Sequence, residues 1–376
     1  MRILLVGPCH DGGSIPPYLD VLADGLTALG ARVDRLGSAG LPYDPYARRF
    51  WPTDRILAAA GRLLSHIDAN GYDLVSIHFG NLEIEQLLPA LWAHRRRPPA
   101  VYHVHSLDWT LFTRHVPDPA LRAAVDDGVA AIDGFVFFGR YAKQELTRRL
   151  TVAVPATVAW LPTTIPTGTR AATTMQLRAA LRRQPGLQLA TLYGYAAPWK
   201  DPCLVLTACA HARVPVRVVL AGPYWDEPDQ AGVDLRAESA AVRRHGLGEV
   251  TVVPSYLSAG HRCALVQHSD LAVFPYRPHP TFQGSGAIAD YLAHDVPVLA
   301  TDVANMAELV GDAGAIIPPG DPTALAEAVD LIVRNDAFRA RITRAARRRA
   351  PAFTAEAHAR SCLAFYQHIL DRKRVR

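Results

Sequence analysis

The chain has 376 residues, of which 49% are hydrophobic and 20% are charged, and its formal net charge at pH 7 is +5. This length exceeds what one hydrophobic core usually supports, so two domains are expected, and the composition excludes an intrinsically disordered chain. No apolar run approaches the roughly 18–20 residues of a membrane-spanning helix. The five cysteines are scattered and never spaced Cys-x-x-Cys, which predicts reduced thiols in a cytoplasmic protein.

The first part of the chain alternates between strand-like and helical patterns. An apolar strand is predicted at residues 2–7, a helix at 18–29 and a second strand at 31–36. Further strand-like runs and the helical patterns between them cover residues 74–78, 82–93, 100–105, 134–138, 141–150 and 157–161. This alternation predicts a parallel sheet with helices on both faces. We expect it to form an N-terminal domain over residues 1–165.

A second alternating pattern follows a segment rich in Thr, Pro and Ala at residues 162–185, which is interpreted as an interdomain linker. Predicted strands cover residues 188–193, 216–221, 250–253, 271–274, 296–300 and 315–317, with helices at 202–212, 238–245, 260–268 and 323–334. These elements predict a second domain over residues 186–350. The expected fold class is α/β, with two Rossmann-like doubly wound domains facing across a cleft, where such sheets place ligands.

The most informative stretch begins at Gly284. It reads as a loop containing Gly284, Ser285 and Gly286, followed by a helix, a turn and a buried strand. Glycines let backbone N–H groups approach a ligand, and the start of a helix favours an anion. Asp290 lies one helical turn further along the same face. A phosphate at the helix start and a ribose hydroxyl on Asp290 would fill this site, and a nucleotide sugar carries both groups.

This stretch resembles the donor-site segment of GT-B glycosyltransferases of the family 4 type. Asp290 stands where the family has its second Glu, whereas Phe282 replaces the first. Just after the strand at 188–193, the family has Gly-Arg and then a Lys, and the two cations neutralise the donor diphosphate. Here Lys200 keeps the Lys position, and Tyr195 replaces the Arg. In the family, the final helix, residues 355–376 here, packs back on the N-terminal domain.

The resemblance implies two further sites in the first domain. His105 matches a family His that reaches across the cleft to the donor sugar, and His103 is expected to point to the opposite face of the strand. Gly13 follows the first strand, where the family loop lies close to the diphosphate. The predicted catalytic residues are therefore His105 and Lys200. The predicted donor-binding residues are Gly13, Tyr195, Lys200, Gly284, Ser285, Gly286 and Asp290.

The family implies retaining transfer of a sugar from a nucleoside diphosphate sugar to an acceptor hydroxyl. The sequence has no Asp-x-Asp motif and no His/Cys cluster with metal-binding spacing, so we predict transfer without a metal and without a cofactor besides the sugar nucleotide. Two alternatives stay open. One is another enzyme on this fold, such as a sugar-nucleotide epimerase or phosphorylase. The other is a binding or partner subunit that has lost catalysis.

The acceptor is left open as a sugar, a lipid-linked molecule or a small molecule. An aromatic loop at residues 41–52 is either an acceptor platform or a loop packed on the surface. Three basic runs, at residues 95–97, 347–349 and 372–374, are either solvated helix ends or contacts to an anionic membrane surface. No nucleic-acid-reading motif accompanies them. The expected location is the cytoplasm, either free or peripheral at the inner face of the membrane.

Overall fold

The computed structural model divides the chain into two compact units. The first comprises Met1–Leu161, Pro280–Gln283 and Ala355–Arg376, and the second comprises Pro162–His279 and Gly284–Thr354. The structure describes residues 1–8, 13–37, 53–78, 88, 91–92, 97–107, 119–120, 123, 128, 131–149, 154–214, 216–223, 249–280 and 282–375. The predicted aromatic loop at 41–52 and the predicted helix at 238–245 lie outside these residues.

The first unit is built on a six-stranded parallel sheet with the order β2-β1-β3-β4-β5-β6. Its strands are β1 (Arg2–Val6), β2 (Arg32–Leu36), β3 (Leu74–His78), β4 (Ala100–His103), β5 (Gly134–Phe137) and β6 (Ala156–Val158). Its helices include α1 (Ile15–Ala28), α2 (Thr53–Asn70) and α3 (Arg140–Arg149). Every residue of β3, β4 and β5 is buried, because a parallel sheet is covered on both faces.

The second unit contains another six-stranded parallel sheet, with the order β12-β11-β10-β7-β8-β9. Its strands are β7 (Gln188–Tyr193), β8 (Val216–Ala221), β9 (Glu249–Val253), β10 (Leu271–Phe274), β11 (Val298–Thr301) and β12 (Gly314–Ile317). Its helices include α4 (Met175–Ala180), α5 (Pro202–His211), α6 (Ala259–His268), α7 (Gly286–Leu292), α8 (Met306–Val310), α9 (Pro322–Arg334) and α10 (Asp336–Arg349). The strand order reverses between β7 and β10, which is the position where such sheets bind ligands.

The last helix, α11 (Ala355–Val375), belongs to the first unit. It shares a hydrophobic core with α1 and with one face of the first sheet. The helices touch closely at Gly25, where an added Cβ would lie 2.7 Å from the Cβ of Ala359. The opposite face of the sheet packs against α2 and α3. Alternation along β1 divides its residues between these faces, with Ile3 and Leu5 on one and Leu4 and Val6 on the other.

The predicted fold class is confirmed, and all twelve predicted strands occur with ends within three residues of the prediction. The segment at 162–185 is different from the predicted linker because it belongs to the second unit. It contains α4, whose residues Leu177 and Ala180 are fully buried. It also carries Thr163 and Thr164, which bind a buried carboxylate of the same unit. Tertiary hydrogen bonds therefore order a stretch whose composition resembles a linker.

Candidate active site

Two glycines mark the carboxyl ends of adjacent strands in the second unit. Gly194 follows β7 with φ 122°, and Gly222 follows β8 with φ 143°. Both values lie in the region that side chains disfavour. The N–H of Gly194 donates to the carbonyl of Ala221 over 2.9 Å, and a Cβ on Gly222 would overlap the carbonyl of Gly194. The two loops therefore pack backbone against backbone beside the point where the strand order reverses.

Lys200 lies over this glycine pair. A Cβ added to Gly194 would be 2.8 Å from the Lys200 Nζ atom, and that Nζ is 5.8 Å from the ring centre of Tyr276, just after β10. The side chain is partly buried. Burial lowers the pKa of Lys200 to about 8, and no described carboxylate contributes to this shift. The site thus holds a desolvated cation that lacks an anionic partner among the described residues.

The turn that carries Lys200 is held by Arg277. The backbone N–H of Arg277 donates to the carbonyl of Trp199 over 2.7 Å, and its guanidinium pairs with Asp201 at 2.5 Å. Asp201 is buried and has φ 43°, an uncommon value for a residue with a side chain. Sequence reasoning did not assign this pair. The arrangement fixes the direction in which the neighbouring lysine leaves the backbone.

The predicted glycine loop lies beside the same tyrosine. Ser285 is buried, and its Oγ is 3.3 Å from the hydroxyl of Tyr276. Its side chain makes no capping hydrogen bond to α7, a helix of 7 residues that starts at Gly286. Gly284 is explained by packing, since an added Cβ would lie 3.3 Å from the Cβ of Asn305. Ser285 and Lys200 are therefore brought to one aromatic ring.

Asp290 lies in the interior of the second unit and is fully buried. Its carboxylate accepts hydrogen bonds from the Thr163 hydroxyl at 2.8 Å and the Thr164 N–H at 2.6 Å, and also from the Tyr193 hydroxyl. Arg262 completes the group at 3.7 Å. The predicted ribose contact has no support in these bonds, because both carboxylate oxygens are engaged within the domain. The arrangement favours a bracing role, which orients Tyr193 directly before the glycine loop.

His105, the other predicted catalytic residue, lies in the first unit just beyond β4. It is partly exposed, and its Nε2 is 3.3 Å from Nδ1 of His78, the last residue of β3. Its ring stands edge-on to Tyr18 at 4.8 Å and contacts Phe138 at 4.9 Å. Burial lowers the pKa of His105 to about 3. The imidazole is therefore neutral at physiological pH.

The prediction that His103 points to the opposite face of its strand is wrong. Side chains two positions apart share a face. His103 and His105 accordingly contact the same ring, because the ring centroid of Tyr18 lies 6.3 Å from that of His103 and 4.8 Å from that of His105.

Gly13, the predicted loop residue of the first unit, precedes α1 with φ 80°. This conformation needs a glycine, and Gly13 belongs to the unit that carries the histidines.

Comparisons with known proteins bear on both units. Residues 189–335 match the family model described as glycosyl transferases group 1. This match supports a glycosyltransferase domain over these residues. They run from the second residue of β7 through β12 and include the predicted donor residues from Tyr195 to Asp290. A search of curated protein sequences found no significant match.

Solved structures resemble this protein over its whole length. Sucrose-phosphate synthase from Thermosynechococcus elongatus has a TM-score of 0.74 at 18% identity, and the match covers 99% of each chain. HepE of Anabaena in complex with UDP and glucose has a TM-score of 0.70 at 16% identity over 98% of this chain and 100% of its own. A glycosyltransferase from Rickettsia africae has a TM-score of 0.69 at 14% identity, covering 98% of each chain. The predicted GT-B fold is thereby confirmed.

The structure brings together one group that sequence spacing does not reveal. His103, His358 and Cys362 are buried, and their ligand atoms lie within 4.8 Å of one another. This would suit a metal by distance, but both ring nitrogens of His103 already contact tyrosine hydroxyls at 2.9 and 2.7 Å. Burial also raises the pKa of the Cys362 thiol, which opposes the thiolate that metals bind. These three residues therefore fit a hydrogen-bonded cluster better than a metal site.

The described members of the basic runs are largely engaged with groups of the protein itself. Arg349 donates to the carbonyls of Glu308 and Leu309 at 3.0 Å. Four other members form ion pairs, Arg97–Asp133 at 2.6 Å, Arg347–Asp295 at 3.4 Å, Arg348–Asp312 at 2.6 Å and Lys373–Asp133 at 2.8 Å. This favours the interpretation as helix ends. None of the helices in the described part of the chain is both long and apolar enough to cross a membrane.

Proposed function

We propose that this protein transfers a sugar from a nucleoside diphosphate sugar to an acceptor hydroxyl, with the donor diphosphate bound at Lys200. The observation that carries the proposal is the desolvated Lys200 cation above Gly194 and Gly222. It lies at the carboxyl ends of parallel strands where their order reverses, the usual ligand position in such sheets. A diphosphate supplies the negative charge that the described residues do not provide.

The chemical task of the site is to stabilise the leaving group. As the bond to the sugar breaks, negative charge grows on the diphosphate, and fixed donors that meet this charge lower the barrier. Lys200 provides a charged donor, and Ser285 provides a hydroxyl beside the same ring. Removing one such donor typically lowers the rate by about 10²–10³. Tyr195, in place of the family Arg, adds a hydroxyl donor but no charge.

Three finer points belong to the proposal. We take the donor nucleoside to be uridine, because HepE, a structural neighbour, was solved with UDP and with UDP-glucose. The transfer retains the anomeric configuration and needs no divalent metal, as the family resemblance implies. His105 contacts the sugar through a hydrogen bond rather than by proton transfer, since its imidazole is neutral with a pKa of about 3.

The first experiment is nucleotide binding measured by thermal shift and calorimetry. UDP, GDP, dTDP and ADP are compared on the wild type and on Lys200→Met. A ligand at about one hundred times its dissociation constant stabilises the fold by about 2.7 kcal/mol. UDP is expected to give that stabilisation in the wild type, and the substitution should weaken its binding roughly 10–100-fold through loss of a charged hydrogen bond. Lys143→Met, on α3 of the other unit, is the matched control.

Turnover separates the proposal from its alternatives. Release of UDP from UDP-glucose, with and without EDTA, tests donor cleavage and its need for metal, and NMR of the transferred sugar reads the anomeric configuration. Interconversion of the free sugar nucleotide without transfer would support an epimerase instead. Nucleotide binding without any cleavage, with a range of sugar and lipid-linked acceptors, would support a binding subunit. No binding of any nucleotide would contradict the proposal itself.

A further inference from the structure

A continuous chain of buried polar side chains runs through the core of the first unit. Its members come from β3, β4, α1 and α11, and each is within hydrogen-bonding distance of the next. In order along the chain, they are His358, Tyr18, His103, Tyr366, Ser76, His78 and His105. We call this chain the relay. All members except His105 are at most 2% exposed.

One end of the relay is anchored by a group that can only accept a hydrogen bond. The Nδ1 atom of His358 lies 2.8 Å from the carbonyl oxygen of Trp160. Nδ1 must therefore carry the proton, and in a neutral imidazole the Nε2 atom is left as an acceptor. The hydroxyl of Tyr18 is 2.8 Å from that Nε2, so Tyr18 donates its single proton to His358.

The direction of every following bond is then set. Because the Tyr18 proton is used, the contact between its oxygen and His103 Nδ1 at 2.9 Å requires a proton on that nitrogen. Neutral His103 then accepts at Nε2 from the Tyr366 hydroxyl, at 2.7 Å. Since Tyr366 has donated, Ser76 must donate to it over 2.8 Å. Each hydroxyl thus accepts from one neighbour and donates to the other.

The relay ends at His105. Ser76 has given its proton to the tyrosine, so its contact with His78 Nε2 at 2.9 Å requires a proton on that nitrogen. His78 is then an acceptor at Nδ1, and His105 Nε2 donates to it over 3.3 Å. The remaining Nδ1 of His105 holds a lone pair and has no hydrogen-bond partner among the described residues. His105 is also the partly exposed member of the set.

The deduction requires that all four imidazoles are neutral, and their surroundings meet this condition. Burial lowers the pKa of His78, His103, His105 and His358, in each case as the largest cause. A metal ion on His103 and His358 would break the relay, because it would take the nitrogens that Tyr18 and Tyr366 occupy. The short contacts of both tyrosines argue for hydrogen bonds at these positions.

We infer that the relay holds His105 in a single neutral form, with its proton on Nε2 and with Nδ1 presented as an acceptor for a hydroxyl group of the substrate. Tyr18, Ser76 and Tyr366 act as positioning residues. They determine which nitrogen of His105 is unprotonated, although they do not contact the ligand. A fixed acceptor selects ligands that donate, as sugar hydroxyls do. That assignment of the ligand rests on the proposed function, whereas the tautomer is a property of the ligand-free protein.

The tautomers are read by long-range ¹H–¹⁵N NMR on protein labelled at histidine. The signals are assigned by their loss in His105→Gln and His358→Gln. The expected result is Nε2–H for His105 and Nδ1–H for His358, the two ends of the relay. A charged His105, an Nδ1–H form or a mixture of both forms would overturn the inference. Because no ligand is added, this result does not depend on whether the protein binds a nucleotide.

Tyr366→Phe tests whether the relay is the cause. The change removes one hydroxyl and keeps the ring, so the bond directions beyond it are no longer imposed. His105 should become a mixture of tautomers, whereas His358 should stay Nδ1–H because Trp160 still holds it. Ser76→Ala, which breaks the relay closer to His105, should give the same pattern and serves if the first variant does not fold.

Tyr102→Phe is the matched control, because Tyr102 is also buried but packs on the opposite face of the sheet. It should leave both tautomers unchanged. An unchanged His105 signal in folded Tyr366→Phe or Ser76→Ala protein would refute the relay. A mixed His105 signal in Tyr102→Phe would do so as well, because general loosening of the core would then explain the effect.

Discussion

Lys200→Met should stabilise the ligand-free protein while weakening nucleotide binding. Methionine keeps most of the apolar stem of lysine and removes the charge. The charge lies in a desolvated position, so it lowers the free energy of unfolding of the ligand-free protein until an anion binds. If Lys200 had only a structural role, its replacement would change stability in the opposite direction and make the protein less stable. Opposite effects on stability and binding are therefore diagnostic of a ligand site.

The magnitude follows from the pKa of Lys200, which burial lowers from 10.5 to about 8. Each pKa unit corresponds to about 1.36 kcal/mol, so retaining the charge at pH 7 opposes folding by at most about 3 kcal/mol. The side chain is partly exposed, and solvent screening reduces the expected gain in the methionine variant to about 1–2 kcal/mol.

The pH dependence of this gain has a definite sign. The folded wild type loses the Lys200 proton near pH 8, whereas the unfolded chain keeps it to about pH 10.5. Between these values the unfolded state binds more protons, so wild-type stability rises with pH. The advantage of Lys200→Met should be complete below pH 7 and should shrink as the pH rises from 8 towards 10.5.

The assay is urea unfolding of both proteins at pH 7 and pH 9.5, combined with calorimetric titration of UDP at pH 7. Lys143 is half-buried and its Nζ donates to the carbonyl of Ala156 over 3.4 Å, so Lys143→Met should lower stability by about 1 kcal/mol at most and should leave UDP affinity unchanged. Two results would refute the reasoning. One is a variant less stable than the wild type at pH 7, and the other is UDP affinity that the substitution leaves unchanged.

Three further predictions concern the same unit. Asp290→Ala should lower the free energy of unfolding by about 3–5 kcal/mol in urea titrations, because it leaves the buried Arg262 charge uncompensated. A variant that keeps its stability but loses UDP affinity would instead support the ribose contact. Gly222→Ala should weaken UDP binding and destabilise more than Gly30→Ala, since both glycines have positive φ but only at Gly222 would the methyl meet another group, the carbonyl of Gly194; equal losses of stability with normal UDP binding would contradict this. UDP affinity of the wild type should fall as the pH rises from about 7 through about 8, where the site lysine loses its proton; calorimetry above pH 7, where UDP keeps its full charge, would disprove the idea if affinity rose instead.

The secondary structure could largely be predicted because its signals are local. Strands buried on both faces read as continuous apolar runs, and this located the central strands of both sheets. Two long helices were not predicted, Thr53–Asn70 and Asp336–Arg349. The second of these is rich in arginine, and only Ile342, Ala345 and Ala346 are buried along it. Such a helix shows little apolar periodicity, so its packing rather than its pattern identifies it.

The candidate site could be predicted in part. Lys200 was predicted from the resemblance of its segment, a strand followed by a glycine and then a lysine, to the family, and these residues lie close together in the chain. The surroundings of Asp290 could not be read in this way. Its phase on α7 is local, but the threonines that bind it are more than 120 residues away. A helical pattern shows which residues share a face, but not which group from elsewhere will be packed against that face.

The sequence by itself determined the α/β class and the strands, because these depend on neighbours in the chain. Only the tertiary structure decided the state of His105. Its partner His78 is bonded to Ser76, which meets Tyr366 from α11, 290 residues later. A tautomer depends on which nitrogen faces a donor and which faces an acceptor. That information arises only when β3, β4, α1 and α11 are packed into one core.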